Sequence, residues 1–222
     1  MPHHLYNYGM LYSTIFFDLD GTLYANDNGL WEEIGARMNQ YLEIKMGLPR
    51  DQVSDIRRNY FQKYGTTLRG LQKHHRVDAD EYLAYVHDVP LQDYLQSSPD
   101  LRDILLSLPQ ECWIFTNADS DHARRVLAVM GLTDCFQGII DIRSTNYACK
   151  PQAESFYQAL SIAGDPVKKN CVMIDDSVRN LVTAGELGIT TVLVGGNAEA
   201  NFEVDYILPD LFSLPERFQN LW

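Results

Sequence analysis

Short apolar runs that recur along this 222-residue chain, with helical patterns between them, restrict its fold more than any other feature. The first, Ser13-Thr14-Ile15-Phe16-Phe17-Asp18, is β-branched and aromatic and ends on a carboxylate. It reads as a buried strand. Cys112-Trp113-Ile114-Phe115-Thr116, Cys171-Val172-Met173-Ile174-Asp175 and Thr190-Thr191-Val192-Leu193-Val194 repeat the pattern, and Asp205-Tyr206-Ile207-Leu208 is a weaker version. Between two of them, Asp119-Ser120 offers an N-cap, Ala123, Val126, Leu127 and Met130 share one helical face, and Gly131 closes the segment. A second helix is expected over 151–163, with Pro151 in its first turn. A third is expected from a Ser177 cap to Gly188. Strands alternating with helices predict an α/β fold whose parallel sheet is covered on both faces.

Residues 24–97 break this alternation. They contain no convincing buried strand and read as helices over 31–46, 49–64, 80–85 and 90–95. The expected organisation is therefore an inserted all-helical cap, 24–97, on a discontinuous core formed by 1–23 and 98–222. Hinges are expected near Leu23-Tyr24 and Ser97-Ser98-Pro99.

Composition limits the function classes. Thirty acidic against eighteen basic residues give a net charge of −12, which argues against a nucleic acid polymer as partner. No apolar stretch is long enough for a membrane span. Residues 1–12 lack the basic and apolar regions of a secretory signal, and Met10 offers an alternative start, so a cytoplasmic location is expected. Cys112, Cys135, Cys149 and Cys171 form no CxxC pair and read as small buried hydrophobes in a reducing compartment.

Four segments carry chemistry, each after a predicted strand, at the sheet edge where ligands of open α/β folds bind. In Phe17-Asp18-Leu19-Asp20-Gly21-Thr22-Leu23, two carboxylates stand two residues apart. Like charges this close are best tolerated beside a cation, and an aspartate can also act as a phosphoryl-accepting nucleophile. Thr116-Asn117-Ala118 opens a helix, as an ordinary cap or as an anion cradle. Lys150 before Pro151 is a surface lysine or a point charge for phosphate. Asp175-Asp176 either compensates a helix dipole or offers the oxygen ligands that suit Mg2+.

In order and spacing these segments resemble the four motifs of the haloacid dehalogenase-like hydrolase superfamily, with a Rossmann-like core and a helical cap of the C1 type. The resemblance implies Asp18 as nucleophile and Mg2+ ligand. Asp20 would be the general acid and base, binding the metal through its backbone carbonyl. It implies Thr116 and the Asn117 N–H as holders of the phosphoryl oxygens. Lys150 would offset charge between Asp18 and phosphate, and Asp176 and Asp175 would complete the metal site. Dehalogenases of the superfamily lack the second acid, so Asp20 favours phosphate chemistry.

Within the cap, Tyr64-Gly65-Thr66-Thr67-Leu68-Arg69-Gly70-Leu71, His74-His75, Asp78 and Pro90-Leu91-Gln92 resemble the pyrimidine 5′-nucleotidase branch. That branch often has Asn where motif one has Gly21 here. Arg69, beside Gly70, is expected nearest the substrate, against the plainer reading of a surface arginine. Tyr64 would stack on a base or pack within the cap. His74 and His75 read as a surface pair rather than a metal site, since no third ligand has suitable spacing. The resemblance thus implies a Mg2+-dependent phosphomonoesterase acting on a nucleoside monophosphate such as UMP or CMP. The alternatives are another small phosphate ester (phosphoglycolate, a sugar phosphate, a lysophospholipid) or a non-enzymatic ligand-binding regulator. Oligomeric state is not legible in the sequence.

Overall fold

A computed structural model describes residues 11–195 and 204–218. Six strands form one sheet in the order β3-β2-β1-β4-β5-β6, with every neighbouring pair parallel. They are β1 (Thr14–Phe17), β2 (Glu111–Phe115), β3 (Gly138–Ile140), β4 (Cys171–Asp175), β5 (Thr190–Val194) and β6 (Tyr206–Leu208). The expected parallel sheet is present, with one strand more than the apolar runs indicated. β3 escaped because it is three residues long, begins on glycine and lies at the sheet edge.

Strand alternation divides the core. Ile15, Phe17, Ile114, Val172 and Ile174 face helices α5 (Pro99–Ser107) and α6 (Ser120–Met130), where Leu101, Leu105, Val126 and Leu127 meet them. Phe16, Phe115, Met173 and Leu193 face the other way, onto Phe156 and Leu160 of α7 (Ala153–Ile162) and Leu181 and Ala184 of α8 (Val178–Glu186). Phe17 and Ile15 are fully buried. Each such side chain contributes about 2 kcal/mol of burial free energy. A short α9 (Leu214–Phe218) follows β6.

Two helix starts differ from expectation. α7 begins at Ala153 after a Gln152 cap, so Pro151 precedes the helix rather than opening it. Ser177 occupies the N-cap of α8 without a side-chain bond; instead its own N–H donates to Asp175 Oδ1 at 2.8 Å. By contrast, Asp119 Oδ1 caps α6 through the His122 N–H at 2.7 Å, and Gly131 closes that helix in the left-handed conformation.

Between β1 and α5 the chain is helical: α1 (Leu30–Gln40), running on into a wider turn at Tyr41–Lys45, then α2 (Arg50–Tyr64), α3 (Thr67–His74) and α4 (Ala79–Val86). The region expected as a helix near 90–95 is one 3-10 turn, Leu91–Asp93. α3 is not among the expected helices; Gly65 and Gly70 weaken its helical pattern. Gly70 instead serves helix packing: a Cβ there would lie 2.2 Å from Tyr60 Cγ on α2. This layer has its own apolar centre, in which Tyr41, Leu42, Val53, Leu71, Tyr82 and Val86 pack with Ile142 and Cys149 from the core. Tyr41 meets Tyr82 and Tyr85 edge-on at 5.1 and 5.4 Å, which places several of the tyrosines in packing roles. All four cysteines are free and buried. Among the described residues no helix is long and apolar enough to cross a membrane.

Candidate active site

Parallel pairing aligns the carboxyl ends of three strands. Phe17 is in register with Ile114 on β2 and with Ile174 on β4, and the Asp18 N–H continues the ladder to Ile174 O at 2.9 Å. Asp18, Thr116 and Asp175 therefore emerge side by side. Lys150 arrives from the loop before α7, and its ammonium is almost completely buried.

That ammonium donates to Asp18 Oδ1 at 2.7 Å, to Asp175 Oδ2 at 2.8 Å and to the Phe115 carbonyl at 2.7 Å. Its three protons are thus all spent on the protein. In this arrangement Lys150 acts on an incoming anion as a fixed positive charge; a direct bond would require giving up a partner. Asn117 also acts on this loop: its Oδ1 accepts the Lys150 N–H at 2.8 Å and its Nδ2 donates to the Lys150 carbonyl at 3.0 Å. The Asn117 side chain thereby clamps the lysine's backbone. Thr116 Oγ1 accepts the Ala118 N–H at 3.0 Å, which leaves its hydroxyl proton free to donate elsewhere.

Asp18, Asp175 and Asp176 each place a carboxylate oxygen within 4.8 Å of the others. With Lys150 among them, three carboxylates and one ammonium sum to a formal charge of −2. Burial pushes the Asp18 carboxyl up to about 8; Lys150 opposes this, while Asp175 and Asp176 reinforce it. Asp176 is likewise raised, to about 6, by burial and by Asp175. Asp175 is completely buried and also accepts from Asn180 Nδ2 at 3.0 Å. Asp176 Oδ2 accepts from Asn26 Nδ2 at 2.9 Å. Gly21 leaves room for that pair, since a Cβ there would lie 2.4 Å from Asp176 Oδ2. An all-oxygen cluster of formal charge −2, in which burial and then like charge oppose ionisation of Asp18 and Asp176, fits a hard divalent cation such as Mg2+.

Asp20 stands apart from this cluster. Both of its recorded side-chain hydrogen bonds end on Oδ1, one from the Tyr24 hydroxyl and one with His122 Nε2 at 2.9 Å. Burial alone would raise its carboxyl. The charge and hydrogen bond of His122, with the Tyr24 bond, outweigh that and hold it below the usual range. Burial, then Asp20, push the Tyr24 hydroxyl far above its ordinary value, so Tyr24 stays a donor.

Asp18, Asp20, Thr116, Asn117, Lys150 and Asp176 all line one cavity of about 680 Å3. The helical layer supplies the opposite wall with Trp31, Met38, Arg57, Phe61, Thr66, Leu68 and Tyr82 among others. Arg57 is anchored by Gly35 O at 2.6 Å and Asn39 Oδ1 at 2.7 Å, while its buried Nε has no hydrogen-bond partner among the described residues.

Arg69, expected nearest the substrate, and Tyr64, read as a base-stacking or a cap-packing residue, are not among the lining residues, which leaves Tyr64 the packing role. The Tyr64 hydroxyl pairs with His74 Nε2 at 2.5 Å, and its carbonyl accepts from Cys149 Sγ at 3.1 Å and Gln152 Nε2 at 3.2 Å. Arg69 sits on α3 with Nη1 3.5 Å from Gln72 Oε1. It is their neighbours, Gly65 to Leu68, that reach the cavity. Gly65 holds φ +92, and a Cβ there would lie 2.8 Å from both Cys149 Sγ and Lys150 O, so glycine is what allows the helical layer to touch the lysine loop. His75 bonds the Tyr60 hydroxyl at 3.0 Å and His74 stacks on Tyr60, so both histidines serve local packing. The sequence reading overlooked Tyr24, Asn26, Arg57, His87 and His122; Tyr24 and Asn26, a few residues beyond motif one, carried the only local signal.

A family model described as haloacid dehalogenase-like hydrolase matches residues 12–188. Phosphate metabolism protein 8 of Saccharomyces cerevisiae is 29% identical over 192 residues, which cover 80% of this chain and 60% of that protein. The chain thus spans 60% of that relative's length. Pyrophosphatase PpaX of Listeria welshimeri is 24% identical over 208 residues, covering 91% of this chain and 94% of its own. Among solved structures, the HAD-hydrolase YfnB of Bacillus subtilis bound to magnesium shares the fold, with a TM-score of 0.62 and 19% identity over 95% of this chain and 98% of its own.

Proposed function

The chain belongs to the haloacid dehalogenase-like hydrolases, and on that premise we propose that it is a Mg2+-dependent phosphomonoesterase with Asp18 as nucleophile. The observation that carries this reading is the buried Asp18–Lys150–Asp175 bridge with Asp176 beside it, a doubly negative cluster, while Asp20 faces the same cavity from outside that cluster. Asp18, Asp175, Asp176 and the Asp20 carbonyl would hold the ion, which when bound supplies positive charge beside the phosphoryl oxygens.

The residues divide the reaction as follows. Lys150 fixes the Asp18 carboxylate through Oδ1 and offsets part of the charge that would repel a phosphate dianion. His122 and Tyr24 keep Asp20 ionised before substrate binds, and the charge of the bound phosphate brings it to its protonated form. Asp18 attacks phosphorus, the bond to the leaving oxygen breaks, and Asp20 delivers that proton to the leaving oxygen. Water then attacks the aspartyl-phosphate, Asp20 takes a proton from it, and Asp18 is regenerated as phosphate leaves. Thr116 and the Asn117 N–H hold phosphoryl oxygens. The helical segment 24–97 acts as a cap over the core 1–23 and 98–222, moving at its two junctions to admit substrate and exclude water.

A nucleoside 5′-monophosphate with a pyrimidine base is the substrate we favour. The cap wall joins aromatic and aliphatic surface to the Arg57 side chain, suited to a flat ring with acceptor groups. Pyrophosphate, suggested by the name of the Listeria relative, would fill little of a cavity this size. The small phosphorylated substrate and a cytoplasmic setting go together in this reading. Phosphate release should be measured on UMP, CMP, sugar phosphates, phosphoglycolate, lysophosphatidate and pyrophosphate, with Mg2+ and with EDTA. The expected result is release that requires Mg2+ and is fastest on UMP or CMP. Faster release from another ester would keep the mechanism and discard the nucleotidase assignment, and no release from any would favour a ligand-binding role.

The electrostatics predict a pH effect. A carboxyl raised to about 8 binds its proton more tightly in the folded protein, so the stability it contributes is lost as pH climbs through that value. His87, pushed down from 6.5 mainly by burial, is already neutral above pH 7 and adds no slope there. In EDTA the melting temperature should therefore fall between pH 7 and 8.5. With Mg2+, whose binding needs the ionised carboxylate, the fall should shrink or reverse. Equal slopes with and without the ion would count against the cluster as its site.

A further inference from the structure

The helix after β2 carries a histidine that the mechanism above does not use. His122 has a fully buried side chain, and its Nε2 lies 2.9 Å from Asp20 Oδ1. Facing a carboxylate oxygen, that nitrogen is the donor. Its other nitrogen, Nδ1, has no protein partner among the described residues, so the ring's one recorded side-chain bond goes to Asp20. A buried histidine kept to tie two structural elements together would be expected to use both nitrogens; this one points its single bond at the acid.

The ring is also held from behind. His87, which caps α4 at the edge of the helical layer, stacks on it at 4.3 Å with the planes 22° apart. The His87 Nδ1 is in turn 3.1 Å from Asp119 Oδ2, the same carboxylate whose Oδ1 caps the His122 N–H. Asp119 thus fixes the backbone of His122 with one oxygen and its stacking partner with the other. Tyr24 adds the second bond to Asp20 Oδ1. Both recorded bonds fall on one oxygen, so the carboxylate plane is set and Oδ2 carries no recorded partner in the cavity that Asp18 also lines.

We infer that His122 is a positioning residue for phosphate-ester cleavage, holding Asp20 through Oδ1 so that Oδ2 meets the leaving oxygen, with His87 and Asp119 holding His122. The inference rests on the proposed role of Asp20 as the acid. It has a signature that loss of packing lacks. Misplacing the acid harms esters whose leaving oxygen needs a proton and spares those, such as p-nitrophenyl phosphate, whose leaving group departs as an anion.

The test compares kcat/KM for p-nitrophenyl phosphate and for an alkyl phosphate, in Mg2+, across four variants. His122→Leu keeps the volume and removes the donor; His122→Gln keeps an N–H near the Nε2 position. In His122→Leu the ratio of aryl to alkyl activity should rise about tenfold to a hundredfold, the scale of a misplaced catalytic group. His122→Gln should bring back most of the loss. Asp20→Asn should raise the ratio at least as far, and adding His122→Leu to it should change the ratio no further. Equal losses on both esters in His122→Leu, an unchanged ratio, or a further rise in the double variant would each overturn the inference. If Asp20→Asn itself leaves the ratio unchanged, the assignment of Asp20 as acid fails first and takes the inference with it. Should His122→Leu not fold, the His122→Gln and Tyr24→Phe proteins decide: both bond the same oxygen, and a ratio unmoved by Tyr24→Phe with equal losses in His122→Gln would overturn it.

Discussion

Asp18→Asn is expected to lower phosphate release by about 10⁴-fold or more, the scale on which removal of a covalent nucleophile acts. The same protein should melt at the same temperature as the parent or higher. Asp18 is a buried acid whose ionisation burial, Asp175 and Asp176 oppose, with Lys150 in its favour. An amide there removes a like charge while its oxygen can still accept from the Lys150 ammonium. Loss of turnover with unchanged or raised stability separates a functional acid from a structural one. Phosphate-release assays with thermal melts in EDTA at pH 8.5 make the comparison. A residual rate within a hundredfold of the parent would end the claim that Asp18 attacks phosphorus.

Lys150→Met should do the opposite to stability. The ammonium is 1% exposed and bridges Asp18 and Asp175 at 2.7 and 2.8 Å. Methionine keeps much of its volume but leaves two buried carboxylates facing each other without a cation. Removing one partner of such a buried arrangement costs about 3–5 kcal/mol. For a chain of this size that is a melting-temperature drop of roughly 10 °C. The deficit should be largest in EDTA at pH 8.5 and shrink near pH 5.5, where the orphaned carboxyls take up protons. Mg2+ should recover part of it, while turnover stays low because the charge that steadies Asp18 against the phosphate is gone. Denaturant titrations in the two buffers, with and without the ion, measure this. A variant as stable as the parent in EDTA at pH 8.5 would show that Lys150 is not what holds the acids together.

Much of the site was legible because parallel strands convert sequence order into spatial order. An apolar run that ends in Asp18, another in Thr116 and a third in Asp175 must deliver those residues to one edge once the strands pair in register. Lys150 was visible only as a cation before a proline; its burial and its three protein partners follow from where its loop crosses the sheet edge. In the helical layer, local pattern misled. Gly70 suggested a backbone open to a ligand, but the space at that glycine is filled by Tyr60 of the neighbouring helix. Tyr64 has the flat ring that stacking on a base requires, yet it is the following residues, Gly65 to Leu68, that line the cavity.

The sequence by itself determined the α/β class, the β1-to-β4 edge and the acids that gather there, since strand period and parallel pairing are properties of short segments. Only the tertiary structure decided that Arg57 rather than Arg69 faces the cavity, and that His122 and Tyr24 grip one oxygen of Asp20. Those outcomes depend on how helices are rotated and stacked on one another. A helix's apolar stripe tells which side is buried. Which distant side chain then comes within 3 Å of a given oxygen is set by the packing of elements far apart in the chain, as Asp20 and His122 are at a separation of 102 residues.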